Sequence, residues 1–213
     1  MNKIIGFLCA VLLILGMVLP ASALPISING TLYEQMGSSE NVAALFTQAD
    51  GGVSNGLYSG FVELIVSGTG QSQGSILNDA FYLFTGSQTP AHNAQHHQLV
   101  FDTQTLISNN PPRCIKHFII YDVDAHTEVT APYVPAYSSD HIYNFVIDLG
   151  IIAPKNLHFG VSDGKFNDNS GAYNIEISQL KPIPEPTSIL LFGSGLIGII
   201  SIRKFRMKFK LYR

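Results

Sequence analysis

Two long apolar stretches, Ile4–Leu19 and Ile189–Ile202, stand near the two ends of the chain. Between them, hydrophobic and polar positions alternate in short runs. No segment from Leu24 to Pro182 keeps a 3.6-residue apolar period over three turns, and the nearest, Ser39–Phe46, predicts at most a short helix. The short runs read as strands over Ile26–Tyr33, Leu57–Ser67, Ala80–Thr85, His97–Phe101, Ile115–Asp122, His141–Asp148, Asn156–Val161 and Tyr173–Ser178. Phe61-Val62-Glu63-Leu64-Ile65-Val66 holds a single charge among apolar side chains, which suits a strand buried in a sandwich. Turn-forming clusters separate the runs: Asp50-Gly51-Gly52, Ser67-Gly68-Thr69-Gly70, Asn109-Asn110-Pro111-Pro112 and Asp163-Gly164. The pattern predicts an all-β protein: a β-sandwich or jelly-roll ectodomain over residues 24–182, flanked by an N-terminal signal peptide and a single C-terminal apolar helix.

The apolar stretch at the start has the parts of a secretion signal. Lys3 is the positive n-region, Ile4–Leu19 the apolar core, and Pro20 ends the helix before the small residues Ala21-Ser22-Ala23. Residues 1–23 are therefore expected to pass through the Sec translocon and to be removed by signal peptidase after Ala23. The other end is built differently. Pro184-Glu185-Pro186 is a stiff, non-helical segment, because two of its three residues lack an amide donor. An apolar helix over about residues 187–202 follows, a little short of the usual ~20 residues of a membrane span. Arg203 and Lys204 open a basic tail that holds the C-terminus on the cytoplasmic side. The ectodomain then lies outside, with the Pro-Glu-Pro at the outer face of the membrane.

Pro184-Glu185-Pro186, the apolar helix with its Gly193-Ser194-Gly195, and Arg203-Lys204 together resemble the PEP-CTERM sorting signal. The resemblance implies that residues 183–213 are a sorting signal read by an exosortase. It further implies transient insertion in the inner membrane, cleavage near the Pro-Glu-Pro, and delivery to the cell surface or extracellular matrix of a Gram-negative bacterium that makes exopolysaccharide.

Charge sharpens this picture. All 15 acidic residues, but only 5 of the 12 Lys and Arg, fall within Leu24–Pro186. An ectodomain with that acidic excess lacks the basic footprint that phosphate contacts need, so no nucleic-acid partner is expected. Calcium or neutral sugars suit it better. Of the two cysteines, Cys9 leaves with the leader, and Cys114 alone cannot form an intrachain disulfide.

Three constellations carry candidate chemistry. In Asp163-Gly164-Lys165-Phe166-Asn167-Asp168-Asn169-Ser170-Gly171, carboxylate and amide oxygens crowd one tight loop. They are the hard ligands that calcium takes, without the bidentate Glu of an EF-hand. The loop is similar to that of calcium-dependent jelly-roll lectins, in which an Asp precedes an Asn-Asn-Ser-Gly opening the last strand. That similarity implies a calcium site at Asp163, Asp168 and Asn169 and, through it, contact with extracellular polysaccharide. The same residues equally suit a hairpin loop whose side chains cap its own backbone. His92 and His96, in Ala91-His92-Asn93-Ala94-Gln95-His96-His97, have zinc spacing only if helical, and loop composition prevails there. Asp122 and Asp124 would share a strand face and serve a polysaccharide hydrolase, or else end the strand in solvent; Asp79, Asp140 and Asp148 read as lone surface acids. No Ser-His-Asp set, P-loop or dinucleotide fingerprint is visible, and no catalytic residue is assigned. The expectation is a non-enzymatic, exosortase-sorted envelope or matrix protein. A secreted polysaccharide hydrolase and a purely structural matrix protein are the alternatives.

Overall fold

The computed structural model describes residues 24–72, 76–84, 91–92, 98–107, 118–129 and 133–184. The expected leader and its cleavage site, Cys114, His96, Glu185, Pro186, Arg203 and Lys204 lie outside the described residues. Within them every regular element is a strand. The first six are β1 (Ile26–Ile28), β2 (Thr31–Gln35), β3 (Glu40–Leu45), β4 (Gly52–Val53), β5 (Phe61–Ser67) and β6 (Gly70–Ser72). Next come β7 (Ile76–Asn78), β8 (Tyr82–Phe84), β9 (Ala91–His92), β10 (Leu99–Asp102) and β11 (Ile119–Asp122). The series ends with β12 (Thr127–Val129), β13 (Tyr143–Asp148), β14 (His158–Val161) and β15 (Ser170–Pro182). The expected all-β class is therefore observed.

β15 organises the molecule. Its start pairs with β6, its middle lies between β3 and β5, and its end pairs with β2, all antiparallel. From β5 the sheet continues through β13 and β11 to β12, and from β6 it continues through β7 and β8 to β9. A second sheet, β10-β14-β4, stands apart from this large curled one. Alternation puts Val62, Leu64 and Val66 of β5, Phe145 and Ile147 of β13, and Tyr173, Ile175 and Ile177 of β15 on one face. Leu99, Phe101, Phe159 and Val161 of the second sheet are buried in the same core. The two sheets thus enclose an aromatic-rich interior, in which each fully buried Leu, Ile or Phe contributes about 1.5–3 kcal/mol. The other face of the large sheet has its own small core. Ile26 and Ile28 pack there with Tyr121, Val146 and Leu180, beside the ring chain Tyr33–Phe61–Tyr121.

Two local expectations are corrected. Ser39–Phe46 is strand rather than helix: Val42, Ala44 and Phe46 point inward, while Asn41, Ala43 and Leu45 are exposed. Pairing with β15 over six residues overrides the modest helix preference of two alanines. Ile26–Tyr33 is not one strand but a hairpin, with Asn29 and Gly30 both at positive φ (49° and 81°). An Asn-Gly pair adopts that turn more readily than other dipeptides.

The compact unit ends at Pro182; residues 183–213 form a separate unit, of which Ile183 and Pro184 are described. Among the described residues no helix is long and apolar enough to cross a membrane.

Candidate functional site

β15 begins where the 163–169 loop ends, and the loop is anchored through Asn169. This side chain is 8% exposed. Its Nδ2 donates to the main-chain carbonyl of Phe46 (3.1 Å) and to Asp163 Oδ2 (2.9 Å). Those two acceptors fix the amide's orientation. They leave Asn169 Oδ1 buried with no hydrogen-bond donor among the described residues. Asp163 Oδ1 accepts from the Lys165 amide (3.1 Å). Asp168 goes elsewhere: its Oδ2 pairs with Lys165 Nζ at 3.3 Å, on the exposed side of the loop. The structure therefore brings Asp163 and Asn169 together and holds Asp168 apart. The oxygens of Asp163, Asn169 and the Phe46 carbonyl are hard donors of the kind calcium takes, fewer than the six to eight that complete its shell. No group of three or more His, Cys, Asp or Glu able to hold a metal occurs among the described residues.

The polar centre that sequence reading missed is Asp79. Read as a surface acid, it is fully buried. It sits in the tight turn between β7 and β8, where its Oδ1 accepts from the amides of Phe81 (2.9 Å) and Tyr82 (2.7 Å). Its Oδ2 accepts from the Tyr143 hydroxyl (2.7 Å) and meets His141 Nδ1 at 2.9 Å. Burial, then the hydrogen bond to Asp79 and its charge, push the Tyr143 hydroxyl far up. The Asp79 carbonyl accepts from Tyr173 OH (3.0 Å), which in turn accepts from Asn78 Nδ2 (3.1 Å). Asn-Asp between two apolar runs was the available signal, since Asp in such a turn bonds its own backbone two and three residues on.

His141 takes φ 57° at the rim of this network, with its side chain 28% exposed. An Nδ1 that bonds a carboxylate carries the proton, so in the neutral ring Nε2 is the acceptor. Two aromatic rings flank it, and a third packs on one of those. Phe84 lies 5.1 Å and Tyr137 6.1 Å from the imidazole, and Tyr82 lies 5.3 Å from Tyr137, all edge-on. Tyr137 is exposed, and the Tyr82 hydroxyl donates to the Pro135 carbonyl at 2.5 Å.

The remaining sequence candidates do not converge. Asp122 caps its own turn, with Oδ1 accepting from the Ala125 amide (2.8 Å) and its carbonyl from the His126 amide (2.8 Å). Asp124 lies in that turn, beyond the strand. His92 falls in β9, not on a helix, so the expected loop is a short strand at that point. Asp140 is held below the usual carboxylate range, first by the Ser138 hydroxyl and then by the Ile142 amide. Asp148 Oδ1 accepts from the Gly150 amide (2.7 Å).

Both candidate ligand-binding regions, the 163–169 loop and the Asp79–His141 cluster, adjoin the early part of β15 through Ser170, Gly171 and Tyr173. The chain leaves the sheet at the opposite end of that strand. The class defined by this arrangement is an all-β domain whose central strand is followed directly in sequence by a separate C-terminal segment. Residues 182–206 match the PEP-CTERM protein-sorting motif. That motif marks an exported protein which exosortase sorts and which is anchored or processed at the membrane. No curated protein and no solved structure matches the chain.

Proposed function

We propose that this protein is a non-enzymatic component of the cell surface or extracellular matrix of a Gram-negative bacterium, released from the inner membrane by exosortase after export. In this reading its ectodomain binds calcium at the 163–169 loop and contacts extracellular polysaccharide beside it. One observation carries the ligand part: Asn169 Oδ1 is buried with no donor among the described residues, on the side chain whose Nδ2 holds the carboxylate of Asp163 and the carbonyl of Phe46. An acceptor left unpaired in the interior costs about 1–3 kcal/mol, and a hard cation with its waters would remove that cost. Asp168 would join by turning from the exposed Lys165, an ion pair weak enough to exchange. The acidic excess of the ectodomain supports a cation in the same way.

The test is the thermal midpoint of Leu24–Pro182, which contains every strand and both cores, in calcium and in chelator. A ligand that binds only the folded state raises stability by mass action. A rise with calcium that Asp163→Ala and Asn169→Leu both abolish supports the reading, and polysaccharide retention assays in calcium follow. An unchanged midpoint would return the loop to a self-capped hairpin. The hydrolase alternative built on Asp122 and Asp124 draws no support from their positions, since Asp122 ends β11 with its carboxylate capping the turn and Asp124 lies exposed within that turn.

A further inference from the structure

The end of the sheet from which the chain departs carries a protruding aliphatic tip. Phe61 pairs with Asp148 and Val62 with Gln179, so residues 57–60 and 149–155 run on past the sheet at the Pro182 end of β15. They are zipped together. The Leu149 amide donates to the Gly60 carbonyl (2.8 Å) and the Gly60 amide to the Gly150 carbonyl (3.0 Å). Tyr58 and Lys155 exchange main-chain bonds of 2.8 and 3.0 Å. The tip is also fastened to β15, because Gln179 Nε2 donates to the carbonyls of Ser59 (2.8 Å) and Phe61 (2.9 Å). Tyr58 and Leu149 turn inward to the main core, and the side chains at the tip turn outward. Ile151 is fully exposed, Leu57 61% and Ile152 39%, with Ala153 and Pro154 exposed beside them.

Isolated exposed aliphatics need no explanation, but several on one braced projection indicate a surface that meets something apolar. Chain length says what. Six residues, Ile183–Ser188, separate β15 from the apolar run that begins at Ile189. Fully extended they reach about 20 Å. While the tail is in the membrane, the Pro182 end of the sheet is confined to the bilayer surface. Lys155 is exposed next to the aliphatic tip, while Lys181, at the same end of the sheet, is ion-paired with Glu34 at 3.3 Å. Lys155 is the one of the two that anionic lipid headgroups would attract.

We propose that the Leu57, Ile151 and Ile152 tip inserts into the outer leaflet of the inner membrane while the precursor is tethered, with Lys155 at the headgroups. Insertion fixes the orientation of the ectodomain, holding the Pro-Glu-Pro at the membrane face and turning the Asp163 loop and the His141 cluster away from it. The proposal rests on the sorting-tail reading.

The chain contains no Trp, so Ile151→Trp supplies a single reporter. The full chain is reconstituted in phosphatidylcholine/phosphatidylglycerol vesicles, with flotation as the check that the tail has inserted. Leu77→Trp, exposed on β7 near the far end of β15, is the control. Expected is blue-shifted emission from the 151 reporter and strong quenching by bromine-labelled acyl chains, while the 77 reporter stays open to aqueous iodide. A Leu57→Trp reporter should behave like the 151 reporter. If the chain floats but the 151 reporter remains open to iodide and untouched by brominated lipid, the tip is overturned and the tail reading stands. Shielding from iodide without brominated-lipid quenching would place the tip against a second copy, and also overturns the proposal. Failure to float removes the tail reading, and the tip with it.

Discussion

Asp79 shows how much a single carboxylate does in this fold. It closes the β7–β8 turn with two amides and at the same time ties that turn to β13 through Tyr143 and to the rim through His141. Asp79→Ala strands a buried amide, a half-buried one and a buried tyrosine hydroxyl, so denaturant unfolding should show a loss of about 3 kcal/mol or more. His141→Ala removes one partner that solvent replaces in part, with an expected loss of about 1 kcal/mol by the same measurement. Gly160 is equally constrained by space. A Cβ there would stand 1.9 Å from the Ala49 carbonyl oxygen, a backbone atom that cannot swing aside. Gly160→Ala should therefore cost about 2–3 kcal/mol, read as a lowered thermal midpoint. None of this was legible in advance. Asp79 looked like Asp140 and Asp148 because a sequence shows the residue type, while burial depends on β13 arriving 64 positions later. Asn169 was legible as a polar loop residue, but its orphaned oxygen depends on the Phe46 carbonyl from a distant strand end.

The elements divide by the origin of their pattern. β5, β13 and β14 were readable because their apolar residues alternate or cluster between plain turn signals, and the interior uses that same alternation. β7 and β12 were not, since three-residue strands carry too few positions to show a period. β3 was misread because its register is imposed by β15 rather than by its own composition. At the start of β3, Glu40 secures the 54–58 loop: its carboxylate accepts from the Asn55 amide, from the Gly56 amide at 2.8 Å and from the Tyr58 hydroxyl at 2.9 Å. Burial acts to raise its pKa, but the Asn55 and Gly56 amides and the Tyr58 hydroxyl together outweigh it and hold Glu40 below 4.5. A lowered folded pKa means stability that is present above the unfolded value and lost as pH falls through the folded one. Urea unfolding followed from neutrality to below pH 4.5 should show this loss in the parent, and Glu40→Gln should flatten that part of the profile.

At the scale of the whole molecule, the sorting tail was legible from composition alone, because two prolines, an apolar run and a basic end are properties of contiguous sequence. The ectodomain's centre of gravity in β15 was not, because the apolar pattern there reads only as Tyr173–Ser178 while the strand spans Ser170–Pro182. Exosortase must therefore cut beyond Pro182 to leave the fold whole. Removing residues 183–213 should leave the thermal midpoint of the ectodomain unchanged. A chain ending at Asn174 loses the pairing of β15 with β2 and most of its pairing with β5, and circular dichroism should find it unfolded.

Among the described residues, the strand at the middle of the large sheet is also the last to be synthesised. β2, β3, β5 and β6 have no shared neighbour until residues 170–182 emerge, so early segments cannot reach a finished arrangement and wait with unpaired edges. The sorting motif begins where β15 ends, at Pro182. In the reading proposed above, the sheet closes no earlier than the synthesis of its last pairing strand, which borders the segment that exosortase reads. A product truncated before β15 lacks its keystone, so the large sheet is complete only in chains whose synthesis has reached the edge of the sorting motif.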